Sequence, residues 1–115
     1  MSQEAKARDA AERTVALCDV LAGFVDTDLD AFLDDVRGQW AVEMGLIRIG
    51  ETIHRIPDDV LDRFPGQPWR QIVGMRNFAA HQYDDLDPHR VWRTATRDVP
   101  ALRDYLADVV LPGLS

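Results

Sequence analysis

The chain has 115 residues, room for one compact domain and too few for two, so a single domain over residues 1–115 is expected. With 46% hydrophobic and 29% charged residues and apolar runs only a few residues long, the composition is globular; it excludes a disordered chain and a membrane span. The net charge of -7 disfavours phosphate binding by the chain as a whole, yet residues 63–97 hold six arginines and a local net of +3, against -8 for residues 1–62 and -2 for residues 98–115.

Arginine suits bidentate phosphate contacts, although a solvated face of ordinary surface arginines would look the same. The polar N-terminus has no apolar segment of the kind a secretory signal needs, and the lone Cys18 cannot form an internal disulfide. A reducing, cytoplasmic location without a membrane partner is expected.

In chain order the pattern is helical, with no convincing strand. Residues 4–24 place Val15, Leu17, Val20, Leu21 and Phe24 near helical spacing, with a stop at Asp26. Thr27 can cap a short segment over 28–35 whose face is Leu29, Phe32 and Leu33. Residues 37–56 carry a core stripe at Val42, Leu46, Ile49, Ile53 and Ile56 and a second stripe at Trp40, Met44 and Ile47. Two stripes on one helix of a small protein predict one face for the core and another for a second subunit, with Gly45 and Gly50 permitting close backbone approach.

Pro57 opens a short helical turn over 58–64, and Pro65, Gly66 and Pro68 make a tight loop. Trp69 starts a helix running to Ala80 or Tyr83. Asp87-Pro88 starts the last helix, whose stripe is Val91, Ala95, Val99, Leu102, Leu106 and Val109, with Pro100 expected to kink or divide it. The fold class is all-α: an up-and-down bundle of four main helices plus short ones, forming a homodimer.

The chemistry must come from few residues, since Gly-rich phosphate loops, Cys clusters, nucleophile elbows and H-E-x-x-H are missing from the sequence. Asp84, Asp85, Asp87 and His89 could surround a cation, but acidic residues at a helix start are ordinary caps, and no metal or cofactor is expected. His54 sits beside the apolar stripe of residues 37–56, where a packed or surface histidine is the ordinary case, and His89, in the first turn of the last helix, offers no partner by spacing. His81 has company: the stretch from Met75 to Tyr83 supplies Arg76, Asn77, His81 and Tyr83 within two turns.

Those are the groups that metal-free RNA cleavage needs. The 2′-hydroxyl of RNA attacks the adjacent phosphorus, so a protein must take one proton, deliver another and stabilise a dianionic phosphorane; histidine and arginine do this near neutrality. On an ideal α-helix Arg76 and His81 lie about 140° apart, Asn77 and His81 about 40°. Either the helix is distorted near His81 or the site is completed across a subunit boundary. Spacing alone is weak, because Arg48 and His54 form a similar pair, with five residues between them, on a buried helix.

From about Asp35 to Leu111 the chain resembles the HEPN superfamily and, within it, the HepT-like toxins of prokaryotic toxin–antitoxin modules. The likeness rests on Ile49-Gly50-Glu51, Arg63-Phe64-Pro65, Pro68-Trp69-Arg70, Ile72-Val73-Gly74-Met75-Arg76-Asn77, His81-Gln82-Tyr83 and Val91-Trp92. The family's R-x-x-x-x-H-x-Y pattern falls without gaps on Arg76, His81 and Tyr83, and Asn77 matches the polar residue that commonly follows the arginine. The resemblance implies a helical homodimer with its motifs in an interfacial cleft, cleaving RNA without metal. In that picture Arg76 and His81 are catalytic and Asn77 and Glu51 supporting. It also implies a minimal nucleotidyltransferase antitoxin encoded alongside, which neutralises the toxin by transferring AMP to Tyr83. Two alternatives stay open: an inactive HEPN module that binds nucleotide or a nucleotidyltransferase partner, and a bundle whose Arg, His and Tyr make only structural hydrogen bonds.

Overall fold

The computed structural model describes residues 2–81 and 86–114, residues 79–81 by their backbone alone. Helix α1 (Gln3–Phe24) is capped by the Ser2 hydroxyl, which accepts from the Ala5 N–H. Then come α2 (Leu29–Leu33), α3 (Val36–His54), α4 (Asp58–Leu61) and α5 (Trp69–Gly74), which passes into a 3₁₀ helix at Met75–His81. The C-terminal helix consists of α6 (Pro88–Arg93), α7 (Val99–Tyr105) and α8 (Leu111–Gly113), joined by π turns at Thr94–Asp98 and Leu106–Val110. Among the described residues there is no strand, and the chain is an all-α bundle of four main helices with short ones between them.

Helix α3 is the central element because its core stripe is apolar at every turn: Val42, Leu46, Ile49 and Ile53 are all fully buried. Its other predicted stripe is not covered within the protomer. Trp40 is 67% and Met44 55% exposed, Ile47 is half-buried, and Val36 extends the same patch at 51%.

The glycines of α3 serve packing inside the protomer. A methyl group at Gly45 would lie 2.3 Å from the Leu21 side chain of α1, so the absence of a side chain there lets the two long helices close up. Gly50 does the same toward α5 and the 3₁₀ helix.

Helix α1 buries a different face from the one its large residues predict. The core side is Ala7, Ala10, Ala11, Thr14, Cys18 and Leu21, while Val20 and Phe24 are exposed. Alanine allows close approach to neighbouring helices at little entropic cost, so the small residues carry the contact. The buried Thr14 hydroxyl is satisfied by donating to Ala10 O at 2.8 Å. Helix α2 is capped by Asp28 rather than Thr27, its carboxylate accepting from Ala31 N–H at 2.8 Å.

Pro100 neither divides nor ends the C-terminal helix. Proline lacks an N–H and its ring crowds the carbonyl four residues back, and a wider π turn precedes it, closed by the Val99 N–H donating to Thr94 O. Pro112 follows a second π turn, closed by Leu111 N–H donating to Leu106 O. Each π turn adds a residue, which moves the end of the buried stripe from Val109 to Val110: Val110 is buried and Val109 is 44% exposed.

Candidate active site

The motif segment is held at its N-terminal end by aromatic and backbone contacts. The Trp69 indole N–H donates to Phe64 O at 2.7 Å, and its ring lies 6.0 Å from that of Tyr105. Ile72 and Met75 point into the core.

Helix α3 then meets this segment backbone to backbone. A methyl group at Gly50 would sit 2.7 Å from Arg76 N, 2.9 Å from Ile72 O and 3.1 Å from Val73 O. Peptide groups cannot swing aside as a long side chain can, so only glycine fits between α3 and the turn that carries Arg76. That places Glu51, exposed on α3, in sequence beside the contact.

At Met75 the helix tightens to 3₁₀ geometry, seven residues long where three or four are usual. Arg76 and Asn77 stand exposed on it, and Phe78 is half-buried. No carboxylate among the described residues neutralises Arg76.

The helical distortion that the spacing left open is therefore present in the backbone from Met75 to His81. At about three residues per turn, Arg76 and His81 differ by about 120° and about 10 Å along the axis, and Asn77 and His81 also by about 120° instead of about 40°. Tyr83, Gln82, Asp84 and Asp85 lie outside the described residues, and the His81 side chain is among those given by backbone alone.

Elsewhere the structure corrects the reading of His89. Its backbone N–H donates to Asp87 Oδ1 at 3.0 Å, and its Nδ1 lies 3.3 Å from the same oxygen. Asp87 is thus the cap of the C-terminal helix, and these bonds, led by the backbone N–H of His89, hold its carboxyl below the ordinary value. Among the described residues no three His, Cys, Asp or Glu side chains group as metal ligands. Cys18 is a buried thiol whose pKa is pushed up to about 12, chiefly by burial and then by neighbouring Asp19. This is the condition of an inert core cysteine.

Sequence reasoning missed two features. Gly50 was expected to permit close backbone approach, but that the approach is to the motif turn is visible only once α3 is seen to meet α5 and Arg76 there. The other is that three of the four arginines of the C-terminal helix share one exposed side; Arg90, Arg93 and Arg97 recur at helical spacing, a signal that was open to reading.

A model of the family described as Ribonuclease HepT-like matches residues 4–109. The chain is 38% identical over 72 residues to a Thermococcus cleftensis protein named "Probable ribonuclease HepT", covering 63% of this chain and 66% of that protein. Two Methanocaldococcus jannaschii proteins provisionally named as RNases are 33% identical over 85 residues and 29% over 92. These alignments span 74% and 80% of this chain and 78% and 79% of theirs. No solved structure matches the chain. Among the described residues no helix is long and apolar enough to cross a membrane. The family match spans nearly the whole chain and includes the Gly50 contact and the segment bearing Arg76 and His81: the protein belongs to the HepT-like ribonuclease family of the HEPN superfamily.

Proposed function

We propose that the chain is a metal-independent endoribonuclease, the toxin of a cytoplasmic HEPN and nucleotidyltransferase toxin–antitoxin module. The observation that carries this reading is Arg76: an exposed guanidinium without a carboxylate partner among the described residues, held on a 3₁₀ turn against the backbone of α3, five residues before His81. In the reaction His81 moves protons, taking one from the attacking 2′-hydroxyl or giving one to the leaving 5′-oxygen. Arg76 holds the charge that gathers on the phosphorane, and Asn77 positions the phosphate. The P–O5′ bond breaks as the 2′-oxygen bonds to phosphorus, leaving a 2′,3′-cyclic phosphate and a 5′-hydroxyl.

The spacing of Arg76 and His81, about 140° apart on an ideal α-helix, supports a cleft shared by two copies. The uncovered Val36, Trp40 and Met44 face of α3 gives a second copy an apolar surface to bury. A stable twofold interface of this kind buries upward of about 1,200 Å² in total, and light scattering should report twice the 13.0 kDa chain mass.

Tyr83, two residues past His81, is the proposed modification site. Its phenolic oxygen attacks the α-phosphorus of ATP on the cognate nucleotidyltransferase, losing its proton and releasing pyrophosphate. The attached AMP adds an anion seven positions after Arg76 in the chain and repels RNA without a change of fold. Intact-mass measurement with that enzyme, ATP and Mg²⁺ should show addition of AMP to the wild type and none to Tyr83→Phe.

The decisive experiment is incubation of the purified chain with total RNA in EDTA beside His81→Ala. Cleavage by the wild type alone is expected. A well-folded His81→Ala protein that still cleaves would overturn the assignment.

A further inference from the structure

The arginines of the C-terminal helix make a pattern that the cleavage chemistry does not use. Arg90, Arg93 and Arg97 follow one another at three and four positions, so they share one side of the helix over about 10 Å of its length. All three are exposed, and none forms an ion pair with a described residue. Other arginines are engaged: Arg8 donates to Leu111 O and Leu114 O, Arg63 pairs with Glu4, and Arg103 with Asp19. Among the described residues two acids lie close to the stripe. Asp98 lines the same hollow, and Asp87 feels Arg93 at a distance but is engaged by His89.

The stripe also leads somewhere. A hollow of about 340 Å³ runs between Arg90, Arg93 and Arg97 with Thr94 and Asp98. It shares Arg90, Thr94 and Asp98 with a larger cavity of about 590 Å³ whose opposite wall is the motif segment, at Gln71, Met75 and Phe78. Apolar Ile72, Val99 and Leu102 floor that cavity, while Gln67, Gln71, Thr94 and Arg90 bring hydrogen-bonding groups to it. A depression with a half-buried aromatic ring and amides at one end, and at the other three guanidinium groups without an ion pair among the described residues, has the make-up of a single-strand binding track: a surface for a base, then cations for successive phosphates.

We propose that this groove holds the RNA strand flanking the cleaved bond, with Arg90, Arg93 and Arg97 binding its phosphates and the Phe78 end of the cavity receiving a base. The inference rests on the ribonuclease reading and deepens it by naming single-stranded RNA as the substrate form and by placing the strand's path on each protomer. It also accounts for how a chain of net charge -7 holds a polyanion: the binding charge is local, and the acidic remainder of the surface limits where RNA can lie.

The test uses a fluorescein-labelled 20-nucleotide single-stranded RNA carrying 2′-O-methyl groups, which cannot attack its own phosphates, so binding is read without cleavage. Fluorescence anisotropy is recorded from 50 to 300 mM salt for the wild type, for Arg90→Gln/Arg93→Gln/Arg97→Gln, and for Lys6→Gln/Arg13→Gln on α1 as a control. Glutamine keeps helix propensity, and circular dichroism confirms that each variant is folded. Each phosphate contact on a single strand contributes about 0.7 to the slope of log affinity against log salt, so the triple variant should lose about 2 from the slope and bind at least ten-fold more weakly at 100 mM salt. The control should keep the wild-type slope. A triple variant with the wild-type slope and affinity overturns the track alone and leaves the cleavage site standing. A wild type that does not bind the probe even at 50 mM salt overturns both the track and the ribonuclease reading.

Discussion

The C-terminal helix and the motif segment both depart from ideal α geometry, for opposite reasons. In the C-terminal helix each π turn sits just ahead of a proline, Pro100 or Pro112, and the distortion leaves Val99, Leu102, Leu106 and Val110 buried. In the motif segment the 3₁₀ stretch Met75–His81 contains no proline, and it leaves Arg76 and Asn77 in solvent. The first distortion is local covalent chemistry absorbed so that packing survives. The second coincides with a tertiary contact, the α3 backbone against Arg76 N at Gly50, and it displays polar groups instead of hiding apolar ones. Substitutions in the two regions should therefore fail differently, one in stability and the other in activity.

The largest expected difference is in catalysis. Arg76→Ala and His81→Ala should each lower RNA cleavage about 10² to 10⁴-fold, with thermal melting unchanged from wild type, as gel-based rates beside calorimetry would show. Loss of melting temperature in step with activity would make the motif segment a packing element like the C-terminal helix.

Gly50→Ala probes the contact that joins the motif turn to the core. Overpacking against peptide groups should cost about 1–3 kcal/mol, read as a lower denaturant midpoint at constant slope. Cleavage by the folded fraction should fall too, because the turn bearing Arg76 is displaced. A variant that is destabilised but cleaves at the wild-type rate would separate the glycine from the site.

Cys18, buried on α1, lines one hollow with Ala95 and Val99 of the C-terminal helix and tests that region by pH. Its pKa is raised in the folded state to about 12 from 9.0, so the protonated thiol is the form that folding favours. The stabilisation from this group is complete below pH 9 and is lost as pH rises toward 12. Melting temperature should fall more steeply above pH 9 in the wild type than in Cys18→Ala, and equal alkaline slopes would show that the thiol is not desolvated.

The smallest effect is expected at Pro100. In an ordinary helix interior, proline is about 3 kcal/mol worse than alanine. With the π turn already accommodating it, Pro100→Ala should change stability by less than about 1 kcal/mol, since the new N–H restores one hydrogen bond while the buried stripe still fixes the register. A gain near the full helix value would show that the π turn does not relieve the proline.

How far the sequence carried the account depends on side-chain size and on what is local. The stripe of α3 was legible because Val42, Leu46, Ile49 and Ile53 are large and regularly spaced, and its second face at Trp40 and Met44 was recognisable as surplus to the core. The buried face of α1 was misread toward Val20 and Phe24 because Ala7, Ala10 and Ala11 carry little hydrophobic signal of their own, and their burial depends on how closely α3 and the C-terminal helix approach. The displacement of the last stripe from Val109 to Val110 follows from π turns that a fixed 100° per residue does not contain. At the site, Arg76, Asn77 and His81 stood out by chemical type. The 3₁₀ geometry of the segment that carries them did not, because no local spacing signals it; it coincides with a contact to Gly50, 26 positions before Arg76 in the chain.

The chemistry of the product ends tests the central claim most directly. RNA cut by the wild-type chain in EDTA, with fragment ends analysed by mass spectrometry, should carry 2′,3′-cyclic phosphate on one side and 5′-hydroxyl on the other, as attack by the neighbouring 2′-oxygen requires. Fragments bearing 5′-phosphate would mean that water is the nucleophile, and would contradict the roles given to His81 and Arg76.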